Sequence, residues 1–131
     1  MTINQTKLKQ LEQRTVRFSA AVVKTCAKYN TDPALHPIID QLVHSATAIG
    51  AHCAAANSAS SKTDFANDIF IAKKAAGETR YWLKVLAELL PKENLSRLSQ
   101  EVLKLALVLQ KIVATLEETN NQLSGNYKNG T

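Results

Sequence analysis

The chain has 131 residues, which is the length of one domain with a single modest core. Hydrophobic residues make up 45% of the sequence and aromatic residues only 5%, so we expect a core of aliphatic side chains and alanine; four glycines and three prolines are too few for the turns of an all-β fold. The formal net charge of +5 permits an anionic partner, whereas no apolar run reaches the roughly 18 residues that a membrane span requires.

The first predicted helix runs from about Asn4 to about Tyr29. Its buried face is marked by residues spaced three and four apart: Leu8, Leu11, Thr15, Phe18, Val22, Cys26 and Tyr29. The helix should end before Pro33, because a proline pushes the preceding residue out of the helical region.

A second helix is predicted from about Ala34 or Pro37 to about Ala56. Its inward positions are Ile38, Leu42, Ile49 and Cys53. Residues 45–59 are rich in alanine and other small residues. Because small side chains at helical spacing let a neighbouring helix approach closely, we expect a tight packing seam along this part of the helix.

The third predicted helix, Phe65–Leu90, is uninterrupted by proline. Ser61 and Asp64 ahead of it fit the capping pattern S-x-x-D, in which the serine hydroxyl accepts a hydrogen bond from a free amide of the first turn. Two neighbouring apolar rows follow, one with Phe65, Ile69, Ala72, Ala76, Leu83, Leu86 and Leu90 and one with Ile71, Ala75, Trp82, Val85 and Leu89. Together they are wider than the roughly 100° stripe of a surface helix, which predicts more than one set of neighbours.

A fourth helix is predicted from about Asn94 to about Leu123. Its apolar residues form a near-heptad row: Leu95, Leu98, Val102, Leu105, Leu109, Ile112 and Leu116. Residues 124–131 show no apolar period and are predicted to be a flexible C-terminal tail.

Four helices joined by short loops predict an all-α fold, an antiparallel up-down-up-down four-helix bundle over residues 1–123. An extended coiled coil is the alternative. The turn signals near Pro33, Ser60 and Pro91 argue against it.

The clearest charge pattern lies on the first helix. Five cations fall within an arc of about 100° that contains no acid: Lys7, Arg14, Arg17, Lys24 and Lys28. The row is roughly 30 Å long, enough to span several phosphates of a nucleic-acid backbone. No aromatic residue interleaves with the cations, so the pattern predicts contacts to the backbone rather than to bases. An ordinary solvated helix face is the alternative.

The third helix carries a smaller cationic row, Lys73, Arg80 and Lys84, which we interpret as mixed surface charge. Glu78 lies within the second apolar row of that helix, so we expect it to be largely buried and to need a cationic partner. Lys74, one turn earlier, is the local partner, and an arginine from another helix or subunit is the alternative. No second acid accompanies Glu78, which favours a structural role.

Residues for catalysis or metal binding are sparse. The three histidines, His36, His44 and His52, recur every eight residues, and each step rotates by about 80°, so they do not converge. Asp40 and His44 could supply half of a metal site, but no complementary cluster is evident. Cys26 and Cys53 match no metal or redox spacing and are expected to be reduced and buried. The sequence therefore predicts no catalytic residue, no metal and no cofactor.

Three ordered blocks carry a family resemblance. Residues 42–51 (LVHSATAIGA), 61–65 (SKTDF) and 76–83 (AGETRYWL) resemble the patterns L-x-R-S-x-T-S-I-G-A-N, E-S-x-x-D-F and E-T-R-Y-W-L. These patterns, at matching separations, are typical of bacterial four-helix bundle proteins encoded in intervening sequences of 23S rRNA genes. The resemblance covers about residues 10–120. His44 and His52 stand where the family pattern has an arginine and an asparagine, so a polar site shared by relatives would be altered here.

The resemblance implies a bundle that assembles into a pentameric ring and has no enzyme activity. In such an assembly we expect a subunit interface at Glu78, Arg80, Tyr81 and Trp82. A related branch resembles the accessory proteins of diversity-generating retroelements, which are basic and bind nucleic acid and a reverse transcriptase.

Three hypotheses about function follow. The first is a cytoplasmic, non-enzymatic homo-oligomer, not associated with a membrane, that binds RNA or DNA backbone through the first helix. The second is a protein-interaction scaffold or accessory subunit for a partner such as a reverse transcriptase. The third, an enzyme or metal protein, rests only on Asp40 and the histidines.

Overall fold

The computed structural model describes the backbone of residues 4–129 and the side chains of residues 4–121. That part of the chain forms four α-helices: α1 (Gln5–Ala27), α2 (His36–Asn57), α3 (Lys62–Leu89) and α4 (Ser96–Asn129). No β-strand occurs within it, so the predicted all-α bundle is confirmed. None of the described helices combines the length and apolar character needed to cross a membrane.

The four helices surround one core in chain order. α2 packs against α1 and α3, α3 packs against α4, and α4 closes the circle against α1. The α1–α3 and α2–α4 pairs lie across the core from each other. All four helices contribute fully buried side chains, among them Val22, Leu42, Ile49, Ile69, Leu83, Leu86, Val102, Leu105 and Leu109. α1 and α4 meet least closely, and a cleft remains between them.

The predicted inward faces of α1 and α4 are largely buried. All six predicted positions from Leu8 to Cys26 on α1 are buried, while Tyr29 is half-buried beyond the end of the helix. On α4 the predicted positions Val102, Leu105 and Leu109 are buried, whereas Leu98, Ile112 and Leu116 are half-buried. Val113, which the near-heptad spacing leaves out, is buried next to Ile112. The reason is that an α-helix drifts by about 20° per heptad against a strict seven-residue repeat.

Side-chain caps set where three helices begin. The Asn4 carboxamide oxygen accepts hydrogen bonds from two amides in the first turn of α1. Ser61 Oγ accepts from the Asp64 amide at 3.0 Å, which confirms the predicted cap and places the start of α3 at Lys62. Asn94 Oδ1 accepts from the first amide of α4 at 3.0 Å.

The predicted tight seam on α2 is confirmed at Gly50. A β-carbon at Gly50 would lie 2.9 Å from Thr15 Oγ1 and 3.1 Å from Thr15 Cβ on α1. Thr15 is fully buried, and its hydroxyl donates to the carbonyl oxygen of Glu12 at 2.6 Å. Glycine therefore allows α1 and α2 to approach closely at this point.

Two buried hydroxyls meet between α2 and α3. Thr79 Oγ1 lies 3.0 Å from Ser45 Oγ and 2.8 Å from the carbonyl oxygen of Ala75. Ser45 Oγ in turn donates to the carbonyl oxygen of Leu42 at 3.2 Å. Each buried hydroxyl thus has a partner, and the contact fixes the relative height of α2 and α3 in a seam that is otherwise apolar.

The structure differs from the sequence expectation at two places. Glu78 is exposed, so the expectation that it is buried is wrong. Its apolar row runs along the edge of the core, and the 100° rotation per residue that buries Thr79 turns Glu78 outward. α4 continues to Asn129, past the predicted end near Leu123. The flexible tail predicted at 124–131 falls where side chains lie outside the described residues, and it stays a prediction.

Candidate functional site

The predicted cationic row lies on the side of α1 that is next to α4. Lys7, Arg17, Lys24 and Lys28 are exposed, and Arg14 is half-buried. Phe18 and Val22, on the buried face of α1, pack into the core and so fix the position of the helix that carries the row.

Two of these five cations have acidic partners from outside α1. Arg14 donates through Nε and Nη2 to Glu101 Oε1 on α4, at 3.1 and 2.9 Å. Lys28 Nζ lies 3.1 Å from Glu93 Oε1 in the loop before α4. The row is free of acid along α1, but the fold brings two carboxylates to it. The other three cations form no ion pair with a described residue.

A cleft of about 610 Å³ lies between α1 and α4 and is called the α1–α4 cleft below. Its charged lining consists of four cations and one carboxylate: Arg14 and Arg17 from α1, and Arg97, Glu101 and Lys104 from α4. Phe18, Ala21 and Leu98 supply the apolar part. The cleft is therefore a concave surface with a clear excess of positive charge.

Sequence reasoning missed the α4 side of this cleft. Arg97, Lys104 and Lys111 recur every seven residues, next to the near-heptad apolar row that packs into the core. That spacing keeps them on one side of α4 and could have been read from the sequence. What the sequence could not show is that this side lies against the cations of α1.

Glu93 joins the end of α1 to the loop that precedes α4. It accepts hydrogen bonds from the Tyr29 hydroxyl and from Lys28. The hydrogen bond from Tyr29, followed by that from Lys28, lowers the pKa of Glu93 below its usual value. The same Tyr29–Glu93 hydrogen bond, together with burial, raises the pKa of Tyr29. Glu93 is therefore a carboxylate at neutral pH and holds this end of the bundle together.

The four predicted interface residues share α3 but not one environment. Glu78, Arg80 and Tyr81 are exposed, whereas Trp82 is half-buried and packs against the core. The rings of Tyr81 and Trp82 meet edge to face with centroids 5.0 Å apart. Phe70, Tyr81 and Leu89 leave 44%, 59% and 50% of their surface exposed. α3 does not pack directly against α1, although Phe70 lines an open groove with Gln5 and Leu8 near the start of α1.

Gly77 lies in the outer face of α3. It is exposed, and a β-carbon there would meet no atom within 4 Å. Glycine in a helix interior is less stable than alanine by roughly 0.5–1 kcal/mol. No neighbour within the described chain requires a glycine here.

The histidines occupy separate environments. His36 Nε2 lies 2.6 Å from the carbonyl oxygen of Asn30, and His52 Nδ1 lies 3.0 Å from Asp68 Oδ1. His44 and Asp40 are exposed. Across the described residues, no three side chains of His, Cys, Asp or Glu come together in a way that could hold a metal ion.

Both cysteines are free and buried, as expected. Burial, with a smaller contribution from Glu12, raises the pKa of Cys53 to about 12. Burial also raises the pKa of Cys26. Since the thiolate is the nucleophilic form, neither thiol is poised for reaction near neutral pH.

Comparisons with known proteins agree with the motif blocks. The family model described as 23S rRNA-intervening sequence protein matches residues 8–111. A crystal structure of a protein of unknown function from the S23 ribosomal protein family of Bacteroides thetaiotaomicron is similar to this chain, with a TM-score of 0.72 and 25% sequence identity over 79% of this chain and 97% of that one. The search of curated proteins gave no match. The matched region spans most of the bundle, and the chain therefore belongs to the 23S rRNA-intervening sequence protein family.

Proposed function

We propose that this protein is a non-enzymatic, cytoplasmic homo-oligomer that binds RNA or DNA through the phosphate backbone, with the cationic side of α1 as the contact surface. One observation carries the proposal: Lys7, Arg17 and Lys24 are exposed along one side of α1 and form no ion pair with a described residue. Cations without a partner in the folded chain are available to neutralise phosphates and release counterions. Arg14 and Lys28 contribute less in the free protein, because each already contacts a carboxylate.

The surroundings of these cations favour backbone contacts over base recognition. Among the described residues, Phe18 is the one aromatic residue that lines the α1–α4 cleft, and it is only 3% exposed. The exposed rings of Phe70 and Tyr81 belong to α3, which does not pack directly against α1. Because the described lining of the cleft offers no exposed ring on which bases could stack, binding there should be independent of base sequence.

The test is a charge reversal with a matched control. Arg17→Glu with Lys24→Glu removes two unpaired cations from the row, while Lys9→Glu with Lys62→Glu makes the same change in net charge at exposed positions outside the row and outside the proposed subunit contact. Binding of short RNA and DNA oligonucleotides is measured between about 50 and 200 mM salt. We expect the Arg17/Lys24 variant to lose about tenfold or more in affinity, and its log–log salt slope to become shallower by about 2. No binding by the wild type at low salt, or equal losses in the two variants, would refute the proposal.

We also infer that the chain assembles as a pentamer through the outer side of α3, in line with the family resemblance. Phe70, Tyr81 and Leu89 give this side exposed apolar surface. Within each subunit, two ion pairs support an antiparallel up-down-up-down order. Lys28, just after α1, pairs with Glu93, just before α4. Arg14, earlier in α1, pairs with Glu101, which lies within α4, so the two helices run in opposite directions.

Sedimentation of the wild type should give a mass near five times 14.3 kDa. Tyr81→Lys should lower that mass, because a charged side chain would be placed in the proposed contact, whereas Gln110→Lys on α4 should not. A monomeric wild type at micromolar concentration would overturn the inferred assembly.

The second candidate is a scaffold or accessory subunit for another protein, such as a reverse transcriptase. The exposed apolar side of α3 is the observation that favours it. A reverse-transcriptase gene beside this one would support the candidate, as would a stable complex of the two purified proteins that Phe70→Lys weakens. Failure of the two proteins to associate would count against it.

A further inference from the structure

We propose that the α1–α4 cleft is the phosphate site for a nucleic-acid duplex, and that Glu101 occupies this site in the free protein and competes with the phosphate. The inference rests on the proposed function, because it identifies the part of the surface that receives the backbone. It adds the α4 wall of the cleft, which belongs to neither the predicted row nor the motif blocks.

Glu101 lies among the cations of the cleft. Within the described part of the chain it is the one carboxylate in the lining, and both of its hydrogen bonds from Arg14 end on the same oxygen, Oε1. An arginine binds a phosphate and a carboxylate through the same N–H donors. A phosphate that enters the cleft can therefore take the hydrogen bonds that Arg14 gives to Glu101.

The ion pair between Arg14 and Glu101 is partly open to solvent. The side chains of Arg14 and Glu101 remain 36% and 33% exposed, so water reaches both. Exposed ion pairs contribute little to stability and exchange readily. Glu101 can consequently swing into solvent when a phosphate approaches, and Arg14 then gains a new partner.

The α4 wall of the cleft also carries cations. Arg97 and Lys104 line it and, within the described chain, form no ion pair. Together with Arg17 they place unpaired cations on both walls.

The class of ligand follows from the lining. A single strand is usually held by base stacking on exposed rings as well as by charge, and Phe18 is too deeply buried to serve as such a platform. A duplex keeps its bases stacked on each other and presents phosphates along two strands, which matches cations on two walls. The expected ligand is therefore duplex RNA or DNA of any sequence.

Glu101→Gln tests the competition, with Asp40→Asn at an exposed position of α2 as a control of identical charge change. Duplex binding is measured by fluorescence anisotropy as a function of salt. We expect Glu101→Gln to tighten binding by about two- to fivefold and to steepen the salt slope by about 0.9, because Arg14 becomes free for one more phosphate. The control should stay within error of the wild type. If Glu101→Gln binds no more tightly than Asp40→Asn, the competition does not exist.

Arg97→Glu with Lys104→Glu tests the second wall, again beside Lys9→Glu with Lys62→Glu. We expect the α4 variant alone to lose about tenfold or more in duplex affinity while its thermal unfolding stays close to that of the wild type. Equal losses in both variants would overturn the role of the cleft. The same would follow if single strands bound more tightly than duplexes.

Different results would refute the α1 surface and the cleft site. If the Arg17/Lys24 reversal weakens binding but the Arg97/Lys104 reversal does not, the α1 surface stands and the cleft site is refuted. If the wild type binds no nucleic acid at low salt, the proposed function itself is refuted.

Discussion

The two mid-helix glycines should respond to the same substitution with opposite signs. At Gly50, the β-carbon of an alanine would lie 2.9 Å from Thr15 Oγ1 and 3.1 Å from Thr15 Cβ. Thr15 cannot easily yield, because it is β-branched, fully buried and hydrogen-bonded to the carbonyl oxygen of Glu12. Overpacking of this kind costs about 1–3 kcal/mol, and the greater helix propensity of alanine offsets about 1 kcal/mol of that. We expect Gly50→Ala to lower the free energy of unfolding by up to about 2 kcal/mol, which is the part of the steric cost that helix propensity does not offset.

At Gly77 the steric term is absent, since no atom lies within 4 Å of the added carbon. Gly77→Ala should therefore raise the free energy of unfolding by about 0.5–1 kcal/mol through helix propensity alone. In a Thr15→Ala background, Gly50→Ala should cost less than in the wild type, because the nearest atom has been removed.

Urea denaturation at one fixed protein concentration measures all of these variants, and a constant m-value shows that the same surface unfolds in each. Sedimentation of the same samples separates an effect on assembly from an effect on folding. The reasoning would be refuted if Gly50→Ala were neutral or stabilising, or if its cost were unchanged when Thr15 is alanine.

Three further predictions concern the buried hydroxyls, the carboxylate near α4 and the thiols. Thr79→Val alone should lower the free energy of unfolding by about 1 kcal/mol, while Ser45→Ala combined with it should cost less than the sum of the two, measured as a double-mutant cycle in urea. Because the pKa of Glu93 is lower in the folded state, the carboxylate stabilises the fold above its usual pKa of 4.5, and this contribution is lost as the pH falls below that value. The difference in unfolding free energy between the wild type and Glu93→Gln should therefore shrink from about pH 7 to about pH 3. Cys26 and Cys53 should resist a thiol reagent at about pH 8 in the folded protein and react fully in denaturant, and fast reaction of the native protein would contradict their burial.

Local patterns in the sequence predicted much of the fold. The apolar period of α1 identified its buried residues, and the S-x-x-D pattern identified the Ser61 cap, because both depend only on helical geometry within a few residues. Small residues around Gly50 predicted a close approach of helices, although not that Thr15 is the partner. The expectation for Glu78 was wrong because a position at the edge of an apolar face is decided by how far the neighbouring helices wrap around it, which the sequence of one helix does not contain.

The candidate site depended on tertiary structure to a greater degree. The cations of α1 could be listed from the sequence, but the pairing of Arg14 with Glu101 links residues 87 positions apart. Arg97 and Lys104 became part of the surface only once α4 was placed beside α1. The sequence thus showed one wall of the cleft, and the fold supplied the second wall and the acid inside it.

The motif blocks that identify the family have structural roles in this chain. Ser45 and Thr79, from the first and third blocks, meet in the buried hydrogen bond between α2 and α3, and Gly50 allows α1 to approach α2. Asp64, from the second block, donates its amide to the cap of α3. None of the four cations that line the α1–α4 cleft belongs to a block. The residues that identify the family therefore account for how the helices pack. Binding has to be tested on residues outside the blocks, because the charged side chains of α1 and α4 can be changed there without loss of the fold.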